Sequence, residues 1–334
     1  MRSLREAVDQ EAERTGFSGV VRLDRHGETD LLEAYGFADR AHAVRNTVDT
    51  QFALASASKG LTALAVMALV ERGVLKLTTT ARSLLGADLP LIADEVTIEH
   101  LLAHRSGIGD YLDEDTINDI TDYVMPVPVQ ELAETEQFLR VLDGHQTVFP
   151  AGERFAYNNG GYVVLALLAE RASGVGYHQL VHKLVCEPAG MLDTEFLRSD
   201  ELPGHAALGY LSVDGLRTNL LHLPVRGNGD GGVYSTAADL RALWDALFAG
   251  RIVSPERLAQ MVQPRGDWPE GSRRYGLGFH LQATGDGVWL EGYDAGVSMV
   301  SLHQPSTSIT CTVISNWSDG AWPIFKLLDH RLDT

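Results

Sequence analysis

Stretches that alternate apolar and polar residues lie at both ends of this chain, and a largely helical sequence separates them. Alternation with a period of two predicts strands, whereas apolar residues three and four apart predict helices. The most economical fold joins the strands of both ends in one antiparallel sheet, with the terminal helices packed on it. The sequence therefore predicts an α+β fold. The expected strands are 17–24, 31–35, 275–283, 288–292, 297–303 and 308–316.

The middle of the chain has helical composition and predicts a second lobe. Helices are expected at 58–72, 98–103, 128–142 and 161–172, and a hairpin is expected around Asp214-Gly215. We expect residues 1–75 and 176–334 to form a discontinuous sheet lobe and residues 76–175 to form a helical lobe. An active site would lie between the two lobes.

Charge and composition exclude several classes of partner. With 27 basic and 45 acidic side chains, the formal net charge is −18, which disfavours binding to nucleic acid and to anionic membranes. Neither a secretory signal nor a run of about 18 apolar residues is evident, so a cytoplasmic protein is expected if Met1 is the natural start. The two cysteines, Cys186 and Cys311, are expected in the core.

The sharpest local feature is Ser56-Ala57-Ser58-Lys59. If Ser56 begins a helix, a spacing of three puts the serine and lysine side chains on one face. A serine hydroxyl needs a neighbouring base to act as a nucleophile, and a lysine with a lowered pKa can serve. The helix N-terminus also offers N–H groups to an oxyanion. The alternative is an ordinary helix start with Ser56 as its cap and Lys59 in solvent.

A second motif, Tyr157-Asn158-Asn159, precedes an apolar helix. A tyrosine at such a junction can relay a proton, and a neighbouring amide can orient a carbonyl group. Alone the pattern is weak, because tyrosine and asparagine are common at turns.

Taken together, these motifs resemble those of the serine β-lactamase and penicillin-binding protein superfamily. The tyrosine form of the second motif is similar to that of the class C branch, with its related esterases and D-peptidases. The resemblance extends over nearly the whole chain. Further family-like segments are L-L-A-H-R-S-G at 101–107, F-P-A-G-E at 149–153, P-A-G-M-L-D-T at 188–194, G-G-V-Y-S-T-A-A-D-L at 231–240 and Y-G-L-G at 275–278.

The resemblance implies a β-lactamase-like fold and a serine hydrolase that needs no metal or organic cofactor. Ser56 would form the acyl-enzyme, and Lys59 and Tyr157 would share the proton transfers, with either as the main base. Asn159 or Asn158 would orient the substrate, and the Y-x-N spacing favours Asn159.

The third motif of that family, K-T-G, H-x-G or W-x-G, is altered in this chain. We align it with G-Y-D-A-G at 292–296, so that Tyr293 stands where lysine or histidine is usual. Ala295 then replaces a glycine that allows close backbone approach. The loss of a positive charge and the gain of Asp294 disfavour substrates that carry a carboxylate, such as penicillins and D-Ala-D-Ala peptides.

The same alignment implies an oxyanion hole formed by the backbone N–H groups of Ser56 and Gly296. It also places Tyr293, Asp294 and Ala295 at the substrate.

Other patterns are given their simpler interpretation. The pairs His100/His104 and His178/His182 have spacing that can hold zinc, but a third ligand is not evident. G-N-G-D-G-G at 227–232 satisfies G-x-G-x-x-G without the strand of a nucleotide-binding unit. Six acids between Asp110 and Asp122 can be a solvated face, or can border the cleft and favour neutral or cationic substrates.

We therefore expect a hydrolase of small esters, amides or short peptides, most like a carboxylesterase, with an undetermined oligomeric state. The alternatives are a β-lactamase or D-amino-acid-specific peptidase, and a non-catalytic ligand-binding relative with a degenerate third motif.

Overall fold

The computed structural model describes residues 3–117, 119–268, 271 and 273–332. Three of the four helices expected in the middle of the chain, those at 58–72, 98–103 and 161–172, are present with nearly the expected bounds. The α-helices are α1 Leu4–Thr15, α2 Ser58–Glu71, α3 Arg82–Leu85, α4 Ile98–Leu102, α5 Leu139–Leu142, α6 Asn159–Ser173, α7 Tyr177–Val181, α8 Glu187–Ala189, α9 Ala237–Phe248, α10 Pro255–Met261 and α11 Ala321–Leu332. A π-helix, His182–Cys186, joins α7 to α8.

The strands come from both ends of the chain, as the alternation predicts. They are β1 Gly19–Arg25, β2 Glu28–Tyr35, β3 Phe37–Asp39, β4 Val44–Arg45, β5 Phe52–Ala53, β6 Tyr234–Ser235, β7 Gly266–Asp267, β8 Arg273–Tyr275, β9 His280–Gln282, β10 Val288–Asp294, β11 Val297–Gln304 and β12 Ile309–Ser315. Eight of them form an antiparallel sheet in the order β2-β1-β12-β11-β10-β9-β8-β7. The predicted α+β fold with an antiparallel sheet is confirmed.

The sheet lies between two layers of helices. Val20 of β1 packs with the large core that includes α2 and α6, while its neighbour Val21 packs with α1 and α11 on the opposite face. This arrangement follows from the period of two along a strand. Of the 14 residues of α2, all but Glu71 are buried, so this helix is a central core element. Cys186 and Cys311 are buried free thiols, as expected.

One local expectation is wrong and another holds only in part. The segment 128–142 forms 3-10 turns, Val129–Glu131 and Thr135–Phe138, followed by the short α5. The carbonyl groups of Val129 and Leu132 accept the N–H groups of Val225 and Arg226, and this tertiary pairing competes with a continuous helix.

Around Asp214-Gly215 the chain does turn back antiparallel, with a bridge between Tyr210 and Thr218 and the Leu211 N–H donating to the Arg217 carbonyl, but the described residues form no strands there. The segment is also joined to the end of β12 through its backbone, since the Tyr210 N–H donates to the Asn316 carbonyl at 2.8 Å.

The division into two lobes stays a prediction. No described helix combines the length and apolar character needed to cross a membrane.

Candidate active site

Ser56 lies in a 3-10 turn, Ala55–Ala57, that leads directly into α2. Ala55 has a φ of 45°, a left-handed conformation that costs energy for a residue with a Cβ atom. Ser58 stabilises this turn, because its hydroxyl donates to the Ala55 carbonyl at 2.8 Å and accepts the Val233 N–H at 3.1 Å. The backbone that carries Ser56 is therefore held in a strained, defined conformation.

Lys59 is buried and all of its hydrogen bonds go to groups of the site. Its side chain is 2% exposed, and Nζ donates to Ser56 Oγ at 2.9 Å, Asn159 Oδ1 at 2.7 Å and the Asp230 carbonyl at 2.7 Å. Burial lowers the pKa of Lys59, while nearby carboxylates, Asp230 first among them, act in the opposite direction. The lowered pKa makes the neutral amine more accessible beside Ser56.

The side chain of Tyr157 reaches the same serine. Its hydroxyl is close enough to Ser56 for the serine hydroxyl to lower its pKa, which opposes the effect of burial, and its ring centroid lies 5.0 Å from Lys59 Nζ. Burial raises the pKa of Tyr157 well above its usual value, so the side chain is held as a neutral phenol. A neutral phenol can donate a proton as well as accept one.

His104 fixes the position of Tyr157, a function that the sequence did not reveal. Its ring centroid lies 4.3 Å from that of Tyr157. On either side of the tyrosine, the Ala156 N–H donates to the His104 carbonyl at 2.9 Å and the Asn158 N–H donates to His104 Nδ1 at 3.1 Å. Burial lowers the pKa of His104, which keeps the imidazole neutral and able to accept.

The start of α6 explains the tyrosine-asparagine motif. Asn158 is the N-cap and its Oδ1 accepts the Gly161 N–H at 2.6 Å. Asp110 accepts the N–H groups of Asn159 and Gly160 at 2.5 and 2.8 Å. Carboxylates are favoured at helix N-termini. One member of the predicted acidic face therefore anchors the helix that carries Asn159.

The altered third motif lies at the end of a hairpin. Ala295 and Gly296 form the two-residue turn between β10 and β11. Ala295 is 1% exposed and its carbonyl accepts the Asn219 side chain at 2.9 Å, so it is not among the residues that line the pocket. The Gly296 N–H donates to Ser318 Oγ at 2.9 Å. Tyr293 and Asp294 do line the pocket that contains Ser56.

At Gly292, the strand β10 lies directly against the backbone that precedes the nucleophile turn. A Cβ atom at Gly292 would lie 2.0 Å from the carbonyl oxygen of Leu54, which immediately precedes that turn. Such a contact is impossible without movement of the backbone. The glycine needed for close approach is therefore Gly292, three residues before the alanine to which the sequence analysis assigned this function.

The hairpin register also determines where the backbone of Tyr293 points. Asp294 and Val297 flank a two-residue turn and so form a hydrogen-bonded pair, which makes Tyr293 and Ser298 a non-hydrogen-bonded pair. The Tyr293 N–H therefore points away from β11. It lies beyond the two residues of β10 that pair with β9, at the strand edge that borders the pocket.

The pocket beside Ser56 has acidic and apolar walls. Its described lining includes the carboxylates of Glu114, Asp230 and Asp294, and no lysine or arginine. Tyr111 donates its hydroxyl to Asp230, at 2.5 Å. Burial raises the pKa of Asp294 to about 7. The sequence did not single out Asp230, because nothing in its local pattern indicates that its carbonyl reaches Lys59.

A serine in contact with a buried lysine and a tyrosine, at the edge of an antiparallel sheet covered by helices, is the arrangement of one class of serine hydrolases. The chain belongs to the β-lactamase family, since the family model described as Beta-lactamase matches residues 4–332.

Similar proteins include both penicillin-binding proteins and an esterase. The putative penicillin-binding protein PbpX of Bacillus subtilis (strain 168) is 27% identical over 268 residues, which cover 80% of this chain and 62% of that protein. Esterase EstB of Burkholderia gladioli is 29% identical over 316 residues, covering 85% and 76%. The crystal structure of a penicillin-binding protein from Bacillus halodurans is 33% identical with a TM-score of 0.90, covering 97% of this chain and 99% of that one.

The chain spans about three-fifths of the length of the two penicillin-binding proteins of Bacillus subtilis that it matches.

Proposed function

We propose that the protein is a serine hydrolase that acts through an acyl-enzyme on small esters or amides, with carboxylesterase-like activity. The observation that carries the proposal is the 2.9 Å hydrogen bond between Lys59 Nζ and Ser56 Oγ, with the lysine buried. A base in contact with the nucleophile is the arrangement that activates a serine. The similarity to Esterase EstB supports the same reaction class.

In the proposed reaction, Lys59 acts as the neutral amine, whose two N–H groups stay on Asn159 Oδ1 and the Asp230 carbonyl. Its lone pair then faces Ser56 and accepts the hydroxyl proton while Ser56 Oγ attacks the substrate carbonyl carbon. The two pKa shifts support this division, because the pKa of Lys59 is lowered and the pKa of Tyr157 is raised. Tyr157 then donates its proton to the departing alcohol or amine and is reprotonated from Lys59. Water attacks the acyl-enzyme in the second half of the reaction and releases the acid.

For the oxyanion hole, we propose the backbone N–H groups of Ser56 and Tyr293. The Tyr293 N–H points away from β11, at the strand edge that borders the pocket. Gly292 allows β10 to lie against the nucleophile turn. The Gly296 N–H already has an acceptor in Ser318. Backbone donors fixed at the site of developing charge supply much of the catalysis in acyl transfer.

The charge of the pocket wall affects which substrates the site favours. The pocket wall carries three carboxyl groups and no lysine or arginine among its described residues. It therefore offers no such basic side chain to an anionic group, and those of its carboxyl groups that are ionised repel one, which favours neutral or cationic substrates. Penicillins and peptides with a free carboxyl end carry such an anionic group. We therefore expect their turnover to be slower than that of neutral esters.

The test compares wild type with Ser56→Ala on 4-nitrophenyl acetate, a chromogenic cephalosporin and a fluorophosphonate label. The exposed serine substitution Ser83→Ala is the control. Wild type and control should hydrolyse the ester and take up the label, and Ser56→Ala should lose at least about a thousand-fold in kcat/KM and all labelling. If wild type and Ser56→Ala were equally inert and unlabelled, the protein would be a non-catalytic ligand-binding relative. Rapid cephalosporin turnover would contradict the expected charge selectivity.

A further inference from the structure

The side-chain amide of Asn159 uses both of its N–H groups within the protein. Its Oδ1 accepts from Lys59 Nζ at 2.7 Å, and its Nδ2 donates to the Leu112 carbonyl and to Glu114 Oε1, both at 2.9 Å. A primary amide has only two N–H donors. The residue is 2% exposed, although it lines the pocket beside Ser56. Asn159 therefore has no free N–H group for a carbonyl oxygen of the substrate.

The segment that covers this amide, residues 110–114, is anchored to its surroundings, and we call it the clasp. Asp110 accepts two N–H groups from the first turn of α6, and Tyr111 donates its hydroxyl to the buried carboxyl group of Asp230. The carbonyl of Leu112 is held over the amide, because both anchors directly precede it in the chain. The backbone part of the clasp is thus fixed by the fold.

The other partner of the amide is the side chain of Glu114, which is exposed. A substrate carbonyl would have to displace it to reach Asn159. The bond from Nδ2 to Glu114 ends on a carboxylate, and hydrogen bonds to ionised acceptors are stronger than those to neutral carbonyl oxygens. Exchanging the first kind of bond for the second is unfavourable, so the clasp stays closed to a neutral substrate.

Apolar side chains supply much of the remaining pocket wall. Ile120, Met125, Leu223 and Val225 line the same pocket as the nucleophile. Such a wall stabilises a bound hydrocarbon group by burial alone, without a hydrogen bond. An acyl group with only carbon and hydrogen next to the reacting carbonyl needs nothing from Asn159. An acylamino group at that position would enter the pocket without this donor, and a buried carbonyl that lacks a donor is costly.

We infer that Glu114 is a specificity-determining residue that closes Asn159 to the substrate. The site then selects esters and amides of simple apolar acids over those with an acylamino group beside the reacting carbonyl. The inference rests on the proposed hydrolase function, since Ser56 must attack that carbonyl. Asn159 supports Lys59 and does not bind the substrate. Penicillins carry an acylamino group, so they are disfavoured for a second reason that is independent of charge.

The experiment measures kcat/KM for two neutral ethyl esters, ethyl 3-phenylpropanoate and N-acetylphenylalanine ethyl ester, the second as both enantiomers. The two compounds differ only in the acetylamino group. Wild type should prefer the first by about ten-fold or more. Glu114→Ala frees one N–H group of Asn159 and should reduce that preference at least about ten-fold for one enantiomer.

Glu114→Gln separates the hydrogen bond from the charge, because glutamine keeps an oxygen for Asn159 Nδ2 and is neutral. This variant should retain the wild-type preference. Asp122→Ala removes an exposed acid outside the described pocket lining and should retain it as well. An unchanged preference in Glu114→Ala, or an equal loss of preference in Glu114→Gln, would overturn the inference.

A binding measurement removes the dependence on turnover. N-acetylphenylalanine amide is titrated calorimetrically into Ser56→Ala and into the double variant with Glu114→Ala, and the second should bind at least about ten-fold more tightly. 3-Phenylpropanamide should bind both equally. Equal affinities for the acetylated amide would overturn the inference about Glu114.

Hydrolysis of 4-nitrophenyl acetate separates the two proposals. If it depends on Ser56 while Glu114→Ala leaves selectivity and binding unchanged, the hydrolase function stands and the inference about Glu114 fails. If Ser56→Ala has no effect on this hydrolysis, the hydrolase function fails, and the calorimetric comparison alone decides whether Glu114 closes Asn159.

Discussion

Lys59 Nζ lies 2.7 Å from Asn159 Oδ1, and this hydrogen bond joins α2 to α6 at the centre of the site. The two helices pack together within the large core, so the bond is fixed by burial as well as by its own geometry. It links the serine-lysine motif to the tyrosine-asparagine motif, about a hundred residues apart in sequence. The lysine therefore has a fixed position before a substrate arrives.

Substitution of Lys59 by methionine should reduce both activity and stability. The base is lost, and the buried oxygens of Asn159 and Asp230 lose their donor. We expect kcat/KM to fall at least about a thousand-fold and the free energy of unfolding to fall by about 2–4 kcal/mol. Urea denaturation and ester hydrolysis at a temperature where the variant is folded would measure the two effects.

Lys76→Met is the matched control, because Lys76 is exposed. It should leave both quantities close to wild type. Substantial activity in the Lys59 variant would argue for Tyr157 as the main base.

Gly292→Ala should impair catalysis through the backbone alone. The new Cβ atom would lie 2.0 Å from the Leu54 carbonyl oxygen, so β10 and the turn carrying Ser56 must separate. A displacement of about 1 Å at the reacting groups can cost on the order of a hundred-fold in rate, and we expect kcat/KM to fall by at least that factor. Ester hydrolysis kinetics with thermal unfolding would measure it.

Gly204→Ala serves as the comparison, since a Cβ at Gly204 would meet no atom within 4 Å. This variant should behave as wild type. If both alanine variants were equally active, the close approach of β10 would not matter for the reaction.

The parts of the site that could be predicted from sequence depend on local geometry. Ser56 and Lys59 are three residues apart, and helical spacing alone brings their side chains together. The cap of α9 was equally predictable, because the Thr236 side chain accepts the Asp239 N–H within one turn. Such patterns need no knowledge of the rest of the chain.

The third motif could not be assigned in the same way. Which glycine approaches another backbone depends on Leu54, which lies far away in sequence, and on which two residues form the turn between β10 and β11. A shift of register along a strand changes the face of every side chain. The use of Asp110 and Glu114 was hidden for a related reason, since an acidic run has the same composition on a solvated face and beside a helix start.

His104→Phe should slow the reaction by releasing Tyr157. The buried Asn158 N–H would lose its acceptor, and the ring that packs on Tyr157 would lose its anchor. We expect kcat to fall about ten-fold or more with a smaller change in KM, because an unsatisfied buried donor costs about 1–3 kcal/mol. His104→Asn should restore much of kcat, since asparagine supplies an acceptor and tolerates the φ of 53° at this position.

His26→Phe controls for the backbone conformation, because His26 is exposed and has a φ of 51°. It should leave kcat unchanged. Equal effects of the phenylalanine and asparagine substitutions at His104 would count against a positioning function.

Asp294→Asn should change how stability depends on pH. Burial raises the pKa of Asp294 from 3.8 to about 7, so the folded protein holds this proton more tightly than the unfolded chain does. The resulting stabilisation is complete below about pH 4 and is lost as the pH rises through about 7. The melting temperature of wild type minus that of Asp294→Asn should therefore decrease between pH 4 and 7 and level off above.

Asparagine retains an oxygen for the Ala295 N–H, which keeps the turn intact. Thermal unfolding followed by circular dichroism would measure the difference at each pH, with Asp122→Asn as an exposed control. A difference that stays constant from pH 4 to 8 would mean that Asp294 is solvated and ionised throughout, and that it does not form a dry wall beside Ser56.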